Sequence, residues 1–139
     1  FVKFKQYVDI GTSTFGQRQA AYFCKMYDME AHIKQITDLY AKRRDLMCDS
    51  MEKYFPKEVK FNRPQGGLFT LVTLPEGIDA KALMRKAIAK NVAYVPGVIF
   101  YPNDGEVNHF RLNYSNMTED RIVEGVKRLG ELLHEELDK

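Results

Sequence analysis

Apolar residues recur along this chain with two different periods, and the change between them marks out the elements. From Met29 to Phe55 the apolar residues Ile33, Ile36, Tyr40, Met47, Met51 and Tyr54 return at three- and four-residue steps, with Lys42, Arg44, Asp45 and Lys53 between them and only Arg43 out of pattern. That spacing predicts an amphipathic helix of several turns, closed by Pro56. A helix before it starts near Thr14, where Thr14 and Gln17 have the spacing of a capping box. Phe15, Ala20, Ala21, Tyr22, Phe23, Cys24, Met26 and Tyr27 make it apolar nearly all round, so it is built to be covered on several sides.

After Pro56 the period shortens. Val59-Lys60-Phe61 alternates as a half-buried strand does, Pro64-Gln65-Gly66-Gly67 supplies a turn, and Leu68 to Leu74 forms a second strand. Pro75-Glu76-Gly77 ends it. Asp79 is placed as the N-cap of a helix with Ala82, Leu83, Ala87 and Ile88 on one face, and Asn91 as its left-handed C-cap. Val92 to Val95 reads as a short strand, Pro96-Gly97 and Asn103-Asp104-Gly105 as turns, and Phe110 to Tyr114 as another strand. Thr118-Glu119-Asp120 opens a last helix whose Ile122, Val126, Leu129, Leu133 and Leu137 form one stripe, with Glu124 and Arg128 able to pair at i,i+4. The expected class is α+β, a two-layer domain in which a small mixed or antiparallel sheet carries helices on one face, preceded by a long helix.

Composition changes this picture little but excludes several functions. The 139 residues are 45% hydrophobic, with nine Phe and eight Tyr, enough for one packed core. Lys plus Arg number 21 against 19 acidic residues, with the signs interspersed, which gives no support to nucleic-acid binding. No apolar run approaches the roughly 18 residues of a membrane span. Cys24 and Cys48 lack a CxxC spacing and fit a reducing, cytoplasmic compartment. His32, His109 and His134 are scattered, so no metal site is expected, and Ser13 and Ser115 have no recognisable His-plus-acid neighbours for a hydrolase. Lys42-Arg43-Arg44-Asp45 reads as the solvated face of the long helix. Gly66-Gly67 precede a strand and not a helix N-terminus, which favours a turn over a phosphate cradle. Phe1 is not an initiator methionine and FVKFKQYVDIG reads as the interior of a protein, so a piece of a longer chain is expected.

Three motifs follow one another in the second half: Gly66-Gly67-Leu68-Phe69, Val92-Ala93-Tyr94-Val95-Pro96-Gly97 and Arg111-Leu112-Asn113-Tyr114-Ser115; upstream stands Thr12-Ser13-Thr14-Phe15-Gly16-Gln17. In that order and separation they resemble the C-terminal portion of the class I/II aminotransferases of fold type I, nearest the alpha-aminoadipate and aromatic branch. The resemblance covers essentially the whole chain. It implies a dimeric, pyridoxal-phosphate (PLP) enzyme that transfers an amino group between an amino acid and a 2-oxo acid, with residues 1–28 ending the large domain and residues 29–139 forming the small one.

The family's chemistry uses a lysine that forms a Schiff base with PLP, an Asp on the pyridine nitrogen, and a small-domain arginine that clamps the substrate alpha-carboxylate. The arginine maps onto Arg111. It lies between Phe110 and Leu112 in an otherwise apolar strand, where a buried guanidinium needs an anion; the bland alternatives are a structural salt bridge or a solvated side chain. The resemblance also puts Phe69 and the Pro96-Gly97 loop with Phe100 and Tyr101 near the substrate entrance, against plain packing. Thr12 and Ser13 are helix caps or, as in some relatives, approach the phosphate or the partner subunit. No S-(F/Y)-S-K or G-x-R-x-G pattern occurs, and Lys3, Lys5 and Lys25 match no such context. The chain alone is therefore expected to bind no PLP and to be inactive. The competing readings are the effector-sensing half of a transcription regulator and a free-standing binding module.

Overall fold

The computed structural model describes residues 1–9, 11–103 and 105–138, which fall into two compact units, Phe1–Thr37 and Asp38–Lys139. The boundary lies inside a long helix, so each unit is taken by itself.

The first unit is helical. α1 (Val2–Val8), which the hydrophobic pattern did not announce, is followed by α2 (Thr14–Met26) and the start of α3 (Met29–Tyr54). The cap of α2 is Ser13, one residue earlier than the Thr14-Gln17 spacing predicts: its hydroxyl accepts from the Gly16 amide at 3.4 Å, while the Gln17 side-chain amide donates to the Thr12 carbonyl at 3.2 Å. Asp28 accepts from the Ala31 amide and opens α3. No residue of α1 or α2 is buried, and Phe15, Tyr22, Phe23, Met26 and Tyr27 all lie exposed. So much apolar surface is unusual on a soluble monomer. The purified chain is expected to self-associate through residues 1 to about 28; a monomer at all concentrations by sedimentation, with slow amide exchange throughout that segment, would contradict this.

The second unit is a two-layer α+β domain. Its sheet has the order β1 (Lys60–Phe61), β2 (Phe69–Thr73), β4 (His109–Asn113), β3 (Val95–Pro96), every neighbour antiparallel. Alternation assigns the faces. Thr70 and Val72 of β2 and Phe110 and Leu112 of β4 point into the core, whereas Phe69 and Leu71 are exposed on the other side. Met47 and Met51 from α3, Phe55 just after it, Leu83 and Ala87 from α4 (Ala80–Ala89), and Leu129 and Leu133 from α5 (Glu119–Leu137) cover the inner face. Each of the Leu, Met and Phe side chains contributes about 1.5–3 kcal/mol by leaving water.

Local chemistry sets the helix ends. Asp79 accepts from the Lys81 and Ala82 amides at 2.7 and 3.2 Å, and Asn91 follows α4 at φ +59, as the caps predict. The face of α4 differs from expectation: Ala80, Leu83 and Ala87 are buried, but Ala82 and Ile88 are exposed. The predicted Val92–Val95 strand shrinks to Val95–Pro96, because the Val92 amide turns back to the Ala87 carbonyl and Tyr94 enters the core, stacked on Phe110 at 4.2 Å. The Tyr94 hydroxyl donates to the Ala80 carbonyl at 2.7 Å, and burial pushes its phenol pKa up. Pro96 lies in this edge strand, where its missing amide costs no ladder bond, and Gly97–Phe100 form one 3-10 turn where a simple turn was expected. Of the Asn103–Gly105 turn, Asp104 lies outside the described residues. Glu124 and Arg128 pair at 2.8 Å as expected.

Candidate functional site

The outer face of the sheet, where Phe69 and Leu71 are exposed, also carries Arg111 and His109. Antiparallel register puts Leu71 and Val95 opposite Arg111, Phe69 opposite Asn113 and Thr73 opposite His109. Arg111 Cζ lies over the Phe69 ring, 4.2 Å from its centroid, and over the Phe100 ring, 4.3 Å from its centroid. Such contacts stabilise a cation by about 0.5–2 kcal/mol. They consume none of its N–H donors, because a ring face does not accept as a carboxylate does. Arg111 is half-buried and its Nε has neither water access nor a hydrogen-bond partner. The ion pairs found among the described residues do not include it. Among the described residues the guanidinium thus has two ring contacts but no hydrogen-bond or ion-pair partner.

Of the residues singled out by sequence, the structure gathers Arg111, Phe69 and Phe100. Tyr101 follows the 3-10 turn and is exposed, and no described contact joins it to Arg111. Ser13 caps α2. Thr12 receives a bond from Lys5 at 3.0 Å within the first unit. The Ser115 hydroxyl donates to Asn113 Oδ1 at 2.9 Å, and among the described residues no cluster of His, Cys, Asp or Glu has metal-site geometry.

Two arginines read as solvated are structural supports. Arg43 Nη1 donates to the Ser115 carbonyl at 2.6 Å, and Arg44 Nη1 to the Gln65 carbonyl at 3.2 Å; only Lys42 and Asp45 are on the wet side. The Tyr114 hydroxyl donates to the Gly66 carbonyl at 3.1 Å, and burial raises its pKa while nearby Arg44 lowers it. Gly67, at φ +85, completes a turn few other residues could make. Together these bonds hold the start of β2, hence Phe69, and the end of β4. Sequence reading weighs His109 only as a metal ligand; its Nδ1 lies 3.0 Å from Thr73 Oγ1 and its Nε2 meets Glu106. Period-two alternation puts it on the face of Arg111, a signal that was available.

A groove of about 800 Å³ lies elsewhere, between α5, Asn91–Ala93 and the end of β4, walled partly by Met117 and Arg121; Arg111 is not in its wall. The Arg111 site is an open face.

The sequence model of the class I and II aminotransferases matches residues 4–129. The chain therefore belongs to that family. Aromatic-amino-acid aminotransferase 1 of Thermococcus litoralis is 44% identical over 97% of this chain and 32% of its own length. The crystal structure of LysN, the alpha-aminoadipate aminotransferase of Thermus thermophilus complexed with N-(5'-phosphopyridoxyl)-L-leucine, superposes with a TM-score of 0.91 at 34% identity, covering 99% of this chain and 35% of that one. An uncharacterized HTH-type transcriptional regulator of Escherichia coli, YdcR, is 30% identical over 78% of this chain and 23% of its own length. The chain spans about a third of the length of the curated aminotransferases it matches.

Proposed function

We propose that this chain is the small-domain portion of an aminotransferase moving an amino group between an amino acid and a 2-oxo acid, and that Arg111 clamps the substrate alpha-carboxylate. The observation that carries it is the half-buried guanidinium held over two aromatic rings with its donors uncommitted. A carboxylate offers two oxygens at the spacing of the guanidinium fork, and the apolar surroundings of Leu71, Val95, Phe69 and Phe100 strengthen that pairing. Fixing the carboxylate fixes the alpha carbon beside it, which is what a group transfer at that carbon requires. Phe69 and Phe100 line this subsite, with Tyr101 at its outer edge. Residues 1–28 close the large domain and 29–139 form the small one. The complete enzyme is a cytoplasmic homodimer, and no described helix is long and apolar enough to cross a membrane.

PLP, the electron sink of this family, does not fit the residues of this chain by themselves. It needs a lysine nitrogen for the Schiff base and a carboxylate for the pyridine nitrogen. No lysine or carboxylate has a described contact with Arg111. The isolated chain is accordingly expected to develop no Schiff-base absorbance at stoichiometric PLP and to trap no cofactor on borohydride reduction. Labelling of a single lysine would overturn this.

The clamp is tested by substrate discrimination in the complete enzyme. Substitution of Arg111 should impair amino acids and spare the corresponding amines without a carboxylate; equal loss with both excludes the assignment. A regulator as parent is the weaker reading, because the three matching regulators are 25–30% identical to this chain, against 34–44% for the three aminotransferases most similar to it among those matched.

A further inference from the structure

We propose that Phe100 is a positioning residue for the Arg111 clamp and that Gly97, by lacking a side chain, sets it in place. The inference rests on the carboxylate reading of Arg111 and deepens it: Phe100 contributes by holding the guanidinium that it covers.

β4 lies between β2 and β3, so Arg111 has a neighbouring strand on each side. From the β2 side comes Phe69, with its ring centroid 4.2 Å from Arg111 Cζ; from the β3 side, one 3-10 turn later, comes Phe100 at 4.3 Å. The ladder sets the place of Phe69, which pairs with Asn113. Phe100 has no strand partner. It ends a four-residue turn whose closing bond, from the Tyr101 amide to the Val98 carbonyl, is long at 3.4 Å. Packing against β4 must therefore fix the height of this ring over the sheet.

That packing is found at the first residue of the turn. Val95 pairs with Arg111 and Pro96 with Phe110, and the same register continued by one step puts Gly97 opposite His109. Gly97 is buried, and an added Cβ would stand 2.9 Å from His109 Cβ, 3.1 Å from its carbonyl oxygen and 3.3 Å from its carbonyl carbon. None of these atoms belongs to the imidazole. The obstacle is the β4 main chain and the Cβ next to it, which cannot swing aside as a side-chain tip could. In a 3-10 helix side chains three apart eclipse one another. Gly97 and Phe100 are three apart, so they share the face of the turn that lies on β4. Glycine at the first position lets that face approach until the ring at the fourth reaches the guanidinium, and a methyl there lifts both.

The complete enzyme tests this with three variants. Phe100→Leu, a change at a side chain 52% exposed, should raise KM for amino acids roughly fivefold with kcat nearly unchanged, the pattern of a lost binding contribution. Phe100→Tyr keeps the ring and should stay within about twofold of the parent. The increase should be equal for a small and a large amino acid, which share the carboxylate, and absent for amines that lack it. Gly97→Ala should raise KM in the same way, and in a Phe100→Leu background it should add less than about twofold, because the ring it displaces is gone. An unchanged KM in Phe100→Leu, or an increase that grows with the size of the substrate side chain, would overturn the positioning role of Phe100. A loss shared equally by amines, or a full additional effect of Gly97→Ala in the double variant, would overturn the role of Gly97. Each of these outcomes leaves the clamp standing as long as Arg111→Lys impairs amino acids and spares amines; a silent Arg111→Lys would remove both readings.

Discussion

Arg111→Lys in the complete enzyme is expected to lower kcat/KM for amino acids by on the order of 10²-fold or more while keeping the fold and PLP binding. The loss follows from geometry. On the clamp proposal the guanidinium would present two parallel N–H donors to a carboxylate, and it lies over two rings, Phe69 at 4.2 Å and Phe100 at 4.3 Å. A lysine keeps the charge but has one compact, strongly hydrated head on a flexible stem, so a bidentate contact becomes a point contact. A hundredfold corresponds to about 2.7 kcal/mol, the scale of one charge-assisted hydrogen bond. Steady-state kinetics on matched amino acids and amines would show it, and an unchanged kcat/KM for amino acids would refute the clamp. A structure of the complete enzyme with Arg111 locked in an ion pair to a protein carboxylate would do so equally.

Gly130→Ala should destabilise the second unit by about 2 kcal/mol or more, although alanine is the better helix former by about 1 kcal/mol. In α5 a Cβ at Gly130 would overlap the Tyr54 carbonyl oxygen and stand 2.9 Å from its carbonyl carbon and 3.1 Å from its Cβ. The obstacle is backbone at the end of α3, which cannot swing aside as a side-chain tip could. The two helices could accommodate a methyl only by separating, and Met51, Phe55, Leu129 and Leu133 would lose contact in the process. Gly125, five residues earlier in the same helix, has nothing within 4 Å of the same added atom. Gly125→Ala should therefore stabilise by up to about 1 kcal/mol. Urea unfolding of the two variants gives opposite shifts in midpoint if close approach and not helix propensity governs Gly130. A Gly130→Ala protein as stable as the parent would show that α3 and α5 are not held at this distance.

What the sequence determined was everything that repeats within an element or is fixed by its ends. Three- and four-residue steps located α3 and α5, the turn residues on either side located β2 and β4, and Asp79 and Asn91 bounded α4 within a residue because their side chains or backbone satisfy local groups. The order of the Gly-Gly-Leu-Phe, Val-Ala-Tyr-Val-Pro-Gly and Arg-Leu-Asn-Tyr-Ser motifs carried the family, and the family match over residues 4–129 agrees. Pattern alone failed where a residue's partner is remote. Arg43 and Arg44 have the composition of a wet helix face, yet their donors meet carbonyls at Ser115 and Gln65, 72 and 21 residues away. Val92 to Val95 has strand composition, but the Ala87 carbonyl captures one end of it. Gly130 looks like a helix defect until Tyr54 is brought against it. Phe69 and Phe100 flank Arg111 only because antiparallel pairing aligns β2 and β3 with opposite edges of β4. Periodicity records which side of an element a residue occupies; which remote group faces it there is decided by packing, because burial makes each polar group find its partner among whatever the fold brings against it.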